Sequence, residues 1–145
     1  MHDVPRQLTV EQLADLFEGR TRLVEELAKR DDPLGEARSV IAQLSEVDKL
    51  EALNAHPAIG GKNLSTRSAA EQGDDADPAI LTELSYLNQV YGEKFGFRFV
   101  VFVNRRPKAE ILEVLRQRLE RTREEELDTA VEELIAIAED RWRRS

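Results

Sequence analysis

Residues 77–95, DPAILTELSYLNQVYGEKF, are the stretch of sequence that decides the fold class. Asp77 is a favoured helix N-cap residue, and a proline such as Pro78 is favoured at the first helical position. Apolar side chains then recur every three or four residues, which places them on one face of a helix: Ile80, Leu84, Leu87, Tyr91 and Phe95. The pattern predicts an amphipathic helix from Asp77 to about Lys94.

Apolar residues at helical spacing also occur nearer the N-terminus. They predict a first helix over about residues 10–29, begun by a capping box of Thr9 and Gln12. Residues 31–35 are typical of a turn. A second helical stretch over 37–53 follows, and its pattern fits either one long helix or two.

The helical pattern is interrupted after residue 53. Pro57 disfavours helical backbone in the residue before it, so the preceding helix should end near Asn54 to His56. Residues 57–67 contain a proline, two glycines and small polar residues, and they predict a loop. A short helix over 68–72 is expected next.

Beyond Phe95, residues 96–103 (GFRFVVFV) have the composition of a strand. No second β-rich segment offers the hydrogen-bond partners that a strand needs, so we expect a buried loop that turns into a helical piece. Pro107 should begin the next helix, and Thr122 with Glu125 forms a capping box for the last one.

Composition limits the classes of protein that fit. The chain has 145 residues, of which 41% are hydrophobic, and no cysteine, so thiolate chemistry and disulfides are excluded. We expect one all-α domain, a helical bundle of about six to eight helices, with residues 1–7 flexible. No apolar run is long enough to cross a bilayer and no signal peptide is recognisable, which predicts a cytoplasmic protein without a membrane partner.

The net charge of −8 disfavours nucleic acid as a partner, because binding a duplex requires a basic surface. An acidic protein that binds an anion must place specific cations in its site. Arg141 continues an apolar helical stripe: Leu127, Val131, Leu134 and Ala138. It is therefore either a rim residue with its guanidinium in water or a partly buried cation that could bind a carboxylate. Arg98 is a second candidate.

Two further residues could carry acid–base chemistry. His56 lies where a helix ends and a loop begins, and imidazole exchanges protons near neutral pH. The alternative is a capping or surface histidine. Glu71 fits a capping box with Ser68, or a carboxylate paired with His56, with Gln72 as a neutral amide beside it. The acidic runs lie at predicted helix starts, and no metal-binding motif is present.

Three segments, in order, resemble one enzyme family: His56 to Gly60 (HPAIG), Ser68 to Gln72 (SAAEQ) and Leu87 to Phe99 (LNQVYGEKFGFRF). They are similar to the 2-oxo-4-hydroxy-4-carboxy-5-ureidoimidazoline (OHCU) decarboxylases. The resemblance covers roughly residues 8–142. It implies an all-α fold and conversion of OHCU, a small anionic ureide, to (S)-allantoin and carbon dioxide in urate degradation. It implies no metal and no organic cofactor, and it favours a homodimer.

The resemblance also implies site residues. The family's catalytic positions fall on three residues of this chain: His56, Glu71 and Arg141. Its substrate-binding positions fall on Pro57, Ser68 and Gln72 and on the backbone amides of Phe99, Val100 and Val101.

The chain departs from the family pattern after Pro57, where Ala58 replaces the arginine or aspartate common in such proteins. A decarboxylase acting on another small cyclic ureide or carboxylate is therefore a second hypothesis. A third is a non-catalytic helical interaction protein, which predicts that Arg141 is paired with an internal carboxylate and that there is no pocket at His56.

Overall fold

The computed structural model describes residues 7–58 and 77–144. This part of the chain contains seven helices and no strand, which confirms the all-α prediction. The helices are α1 (Val10–Phe17), α2 (Arg22–Leu27), α3 (Pro33–Gln43), α4 (Glu46–Asn54), α5 (Pro78–Phe95), α6 (Lys108–Arg118) and α7 (Arg123–Arg144). The short helix expected over residues 68–72 lies outside the described residues.

The prediction of a single helix over 10–29 is wrong. Helix α1 ends at Phe17 because Glu18 adopts left-handed backbone, with φ of 65°, and cannot continue a right-handed helix. Thr21 then begins α2, and its side chain accepts a hydrogen bond from the Val24 amide at 3.4 Å. The apolar periodicity runs across this break, which is why the sequence pattern concealed it.

The stretch predicted over 37–53 is two helices. Leu44 has extended backbone that ends α3, and Ser45 caps α4 by accepting from the Asp48 amide at 3.2 Å. The turn expected over 31–35 is largely the start of α3, because Asp32 acts as the N-cap and Pro33 occupies the first turn. Helix α4 ends at Asn54, as Pro57 predicted.

The helix predicted from residues 77–95 is confirmed. The Asp77 carboxylate accepts from the Ala79 amide at 3.0 Å, and α5 ends where Gly96 adopts φ of 81°. Residues 98–103 form a largely buried segment without helix or strand, so the expected buried loop is confirmed. It does not itself become helical: α6 begins only at Lys108, after a turn at residues 104–105.

Helix α7 lies at the centre of the helix packing. It contacts α1, α3 and α4, while α5 packs against α6. The face of α7 that is buried carries mainly apolar side chains together with two charged ones, Glu126 and Arg141. In the part of the chain that is described, no helix is long and apolar enough to cross a membrane.

Glu126 organises a buried polar cluster that ties the 98–103 segment to the helices. Its carboxylate accepts hydrogen bonds from the Tyr91 hydroxyl at 2.5 Å and from Arg118 Nε at 2.8 Å. Arg118 Nη1 donates to the Val100 carbonyl at 2.8 Å, and the guanidinium carbon lies 4.7 Å from the centre of the Phe99 ring. The cluster therefore holds the backbone of this segment in one place.

The capping box of α7 is present as predicted. The Glu125 amide donates to the Thr122 hydroxyl at 3.2 Å, and the Thr122 amide donates to the Glu125 carboxylate at 3.0 Å. Thr122→Ala is therefore expected to lower the free energy of unfolding by about 1 kcal/mol, because one helix amide loses its acceptor. Urea denaturation of the variant and the parent protein measures this difference, and equal midpoints would contradict it.

Candidate functional site

His56 lies one residue beyond the C-cap of α4 and is buried, with 5% of its surface exposed. Its backbone amide donates to the Leu53 carbonyl at 3.2 Å, which holds the residue against the end of the helix. Within the described residues, its Nε2 atom has no hydrogen-bond partner. A buried polar atom without a partner is uncommon and is available to a ligand. The interpretation of His56 as a surface histidine is wrong.

The environment of His56 keeps the imidazole neutral. Its pKa is lowered from 6.5 to about 4, mainly by burial and further by the nearby positive charge of Arg141. The Glu18 carboxylate acts in the opposite direction, while Arg98 lowers the pKa further. At neutral pH the ring is therefore a proton acceptor with an available nitrogen.

Arg141 is fully enclosed, with 1% of its surface exposed. Its Nη2 forms an ion pair with Glu18 Oε1 at 3.0 Å, and its Nη1 donates to the Leu16 carbonyl at 3.1 Å. The interpretation of Arg141 as a rim residue with its head in water is wrong, and the buried-cation interpretation is confirmed. The positive charge of Arg141 lowers the pKa of His56, so the end of α4 and helix α7 bring the two side chains into one site.

Glu18 is a member of this site that sequence reasoning missed. Its carboxylate is 12% exposed, and it pairs with Arg141 while influencing the pKa of His56. On the single helix that the apolar spacing predicts over residues 10–29, Glu18 would be an ordinary polar position, so the sequence pattern does not reveal its role. The glycine that follows it, Gly19, is the sequence signal that could have revealed the helix end.

Arg98 is an exposed residue rather than a partly buried cation, but it holds the backbone beside His56. Its guanidinium donates to the carbonyl oxygens of Asn54, at 3.3 Å, and of His56. Its own amide donates to Asn54 Oδ1 at 2.9 Å. These bonds connect the start of the 98–103 segment to the end of α4.

An open cavity of about 470 Å³ lies alongside this junction. Its walls include Asn54 and Ala58, on either side of His56 in sequence, and Arg98. The interaction-protein hypothesis predicted a paired Arg141 and no pocket at His56. The first feature is present, since Arg141 pairs with Glu18. The cavity is lined by residues that precede and follow His56 in sequence, and the described residues that line it do not include His56 itself.

The remaining predicted site residues fall into two groups. Pro57 is half-buried directly after His56, and three residues are buried in the 98–103 segment: Phe99, Val100 and Val101. The other three predicted residues lie outside the described residues: Ser68, Glu71 and Gln72. Over residues 7–58 and 77–144, no group of three or more histidine and acidic side chains is arranged to hold a metal ion.

The lowered pKa of His56 predicts a dependence of stability on pH. Between pH 6.5 and about 4, the unfolded chain binds a proton on His56 that the folded chain does not, so stability is lost as the pH falls through this window. The resulting decrease in the free energy of unfolding should reach about 3 kcal/mol. His56→Gln removes this contribution, so urea denaturation at pH 7, 5.5 and 4.5 should show a smaller loss for the variant. Parallel losses in the two proteins would contradict the prediction.

Comparison with known proteins places the chain in a family. Residues 2–143 match the OHCU decarboxylase family. The chain is 35% identical over 107 residues to the uric acid degradation bifunctional protein TTL of Arabidopsis thaliana, a match covering 67% of this chain and 33% of that protein. It is 30% identical over 105 residues to the 2-oxo-4-hydroxy-4-carboxy-5-ureidoimidazoline decarboxylase of Halalkalicoccus jeotgali, covering 69% of this chain and 60% of the relative.

A solved structure agrees with this result. The crystal structure of OHCU decarboxylase in the presence of (S)-allantoin superposes with a TM-score of 0.77 at 27% identity, covering 92% of this chain and 96% of that one. The matches to the two curated relatives span a third and three fifths of those proteins' lengths. The family match covers nearly all of the present chain, and the chain belongs to the OHCU decarboxylase family.

Proposed function

We propose that this protein is a cofactor-independent decarboxylase that converts OHCU to (S)-allantoin and carbon dioxide in urate degradation. The observation that carries the proposal is a buried, neutral imidazole with an available Nε2 on His56, beside the buried guanidinium of Arg141. This pair combines a proton acceptor with a cation that suits a carboxylate. Membership of the OHCU decarboxylase family supports decarboxylation as the type of reaction.

The chemistry of OHCU defines what the site must do. The bond between the carboxylate carbon and ring carbon 4 breaks, and its electron pair moves into the ring. The hydroxyl on carbon 4 then gives up its proton to become a carbonyl, and carbon 5 gains a proton on one face. The ring nitrogen bonded to carbon 5 receives the displaced electron pair and takes up one proton from solvent, which is the proton that the overall reaction consumes. A single base beside the ring can accept the hydroxyl proton and return a proton to carbon 5.

His56 is the residue that we assign to this proton transfer, because its imidazole is neutral at cytoplasmic pH and its Nε2 is available. Arg141 holds the anionic substrate, which an acidic protein would otherwise repel. We assign Glu71 to orienting His56.

The ring of the substrate is held by the remaining positions that the family resemblance suggests. These are Pro57, Ser68, Gln72 and the amides of Phe99, Val100 and Val101. The buried cluster at Glu126 supports this role for the last three, because it holds the Val100 carbonyl and therefore the adjoining backbone in place.

A second candidate is decarboxylation of another small cyclic ureide or carboxylate. It is favoured by Ala58, a small side chain in the wall of the cavity beside Asn54 and Arg98. A smaller side chain enlarges the space available to the substrate and changes which groups it accepts.

Turnover measurements separate these two candidates. OHCU should be generated freshly from urate, and its disappearance followed with and without the protein, in parallel with a set of stable ring carboxylates such as orotate and hydantoin-5-carboxylate. We expect acceleration of OHCU decay alone. Acceleration of another compound with unchanged OHCU decay would contradict the first candidate and support the second.

A cytoplasmic location and a homodimeric state are part of the same proposal, and they are supported by the family resemblance. Light scattering during size-exclusion chromatography tests the dimer. A mass of about 33 kDa is expected for two chains of 16.5 kDa, and a mass of 16.5 kDa would contradict it.

A further inference from the structure

We propose that Glu18 is a positioning residue of this site that offsets part of the charge of Arg141, so that a bound carboxylate is held weakly enough to leave as carbon dioxide. The inference rests on the proposed function, because it assigns Arg141 to the substrate carboxylate. It adds a residue that the family resemblance did not indicate.

The contacts of Arg141 show how α1 controls it. The end of α1 supplies the Leu16 carbonyl to Nη1 at 3.1 Å and the Glu18 carboxylate to Nη2 at 3.0 Å. The side chains of Arg141 and Glu18 are 2% and 12% exposed, so water screens this pair little. The orientation and the effective charge of the guanidinium therefore both depend on Glu18.

The backbone of Glu18 supports a specific role for its side chain. Left-handed backbone at the end of a helix is usually occupied by glycine or asparagine, because other residues are strained there. Glu18 nevertheless has φ of 65°. This conformation directs the carboxylate to Arg141, and strained backbone of this kind is concentrated at functional sites.

The reaction explains why a counter-charge would help. Decarboxylation moves negative charge from the carboxylate into the ring, so a full positive charge on the carboxylate stabilises the bound substrate more than the transition state. Binding energy that is lost in the transition state slows the chemical step. With its charge partly offset by Glu18, Arg141 would orient the carboxylate through hydrogen bonds without holding it too strongly.

Glu18→Gln tests this directly, since glutamine keeps the length and one acceptor oxygen but removes the charge. Both KM and kcat for OHCU are expected to fall, each by about threefold to tenfold, as the carboxylate is bound more tightly. The matched control is Glu132→Gln, which removes one charge from an exposed pair with Arg38 and should change neither constant. A raised KM with unchanged kcat, or two unchanged constants, would overturn the proposal.

A binding measurement keeps the test independent of turnover. Titration calorimetry with hydantoate, an unreactive ureido carboxylate, should show affinity higher by about threefold to tenfold in Glu18→Gln than in the parent, with (S)-allantoin, which is neutral, unaffected. Equal affinities for hydantoate would overturn the role of Glu18 even if the parent protein did not decarboxylate OHCU. Failure of the proposed function would instead appear as an inactive parent. Should the glutamine variant not fold, Glu18→Asn replaces it, because asparagine tolerates left-handed backbone.

Discussion

Replacing His56 with asparagine is expected to lower kcat for OHCU decarboxylation by about a hundredfold to ten-thousandfold, the usual contribution of a general acid–base residue. Asparagine keeps a polar side chain but cannot exchange protons at neutral pH. The buried imidazole with its available Nε2 is the group that the described residues offer for this step. The allantoin formed by the variant should approach the racemic product of spontaneous decay.

His2→Asn is the matched control, because it changes the other histidine of the chain. It should retain the parent's kcat. Circular dichroism in the far ultraviolet should first establish that both variants have the helical content of the parent. A folded His56→Asn variant with the parent's kcat would show that His56 does not carry the proton transfer.

Arg118→Met is expected to lower the free energy of unfolding by about 3 kcal/mol, the lower end of the cost of removing one partner of a buried ion pair, because Arg121 still pairs with Glu126 at 3.0 Å. Arg118 is 6% exposed and Glu126 is fully buried. The variant removes the donor at 2.8 Å from Glu126 and the donor at 2.8 Å from the Val100 carbonyl. Urea denaturation followed by circular dichroism measures the loss.

The control for this change is Arg116→Met on the same helix. Arg116 pairs with Glu83 and Glu113 at the surface, where its side chain is 44% exposed, so its removal should lower the free energy of unfolding far less than the removal of Arg118. The double variant Arg118→Met with Glu126→Leu should recover part of the loss, because it also removes the buried carboxylate that Arg118→Met leaves with the more exposed Arg121 as its counter-ion. Equal decreases in the free energy of unfolding for Arg116→Met and Arg118→Met would show that the burial of Arg118 does not determine the cost of removing it.

The helices that the sequence predicted well are those with strong local signals at their ends. Asp77 and Pro78 mark the start of α5, and Thr122 marks the start of α7. The sequence pattern does not show the break between α1 and α2, because apolar spacing continues through it. The helix ends there because a single residue, Glu18, adopts left-handed backbone. Periodicity reports which face is buried, and it is less sensitive to where a helix ends.

The site could be predicted from the sequence only in part, for a related reason. The buried stripe on α7 indicated that Arg141 could be enclosed, and the structure confirms it. The partner that encloses it, Glu18, lies at the far end of the chain and is brought to it by packing of α1 against α7. Contacts between distant segments depend on tertiary packing, which a pattern within one helix does not contain.

The configuration of the allantoin formed from OHCU tests the central proposal most directly. Spontaneous decay protonates carbon 5 on both faces, whereas a site that holds the ring beside one base protonates it on one face. Circular dichroism of the product should therefore show the signal of (S)-allantoin when the protein is present and no signal when it is absent. A racemic product at the uncatalysed rate in the presence of folded protein would contradict the proposal.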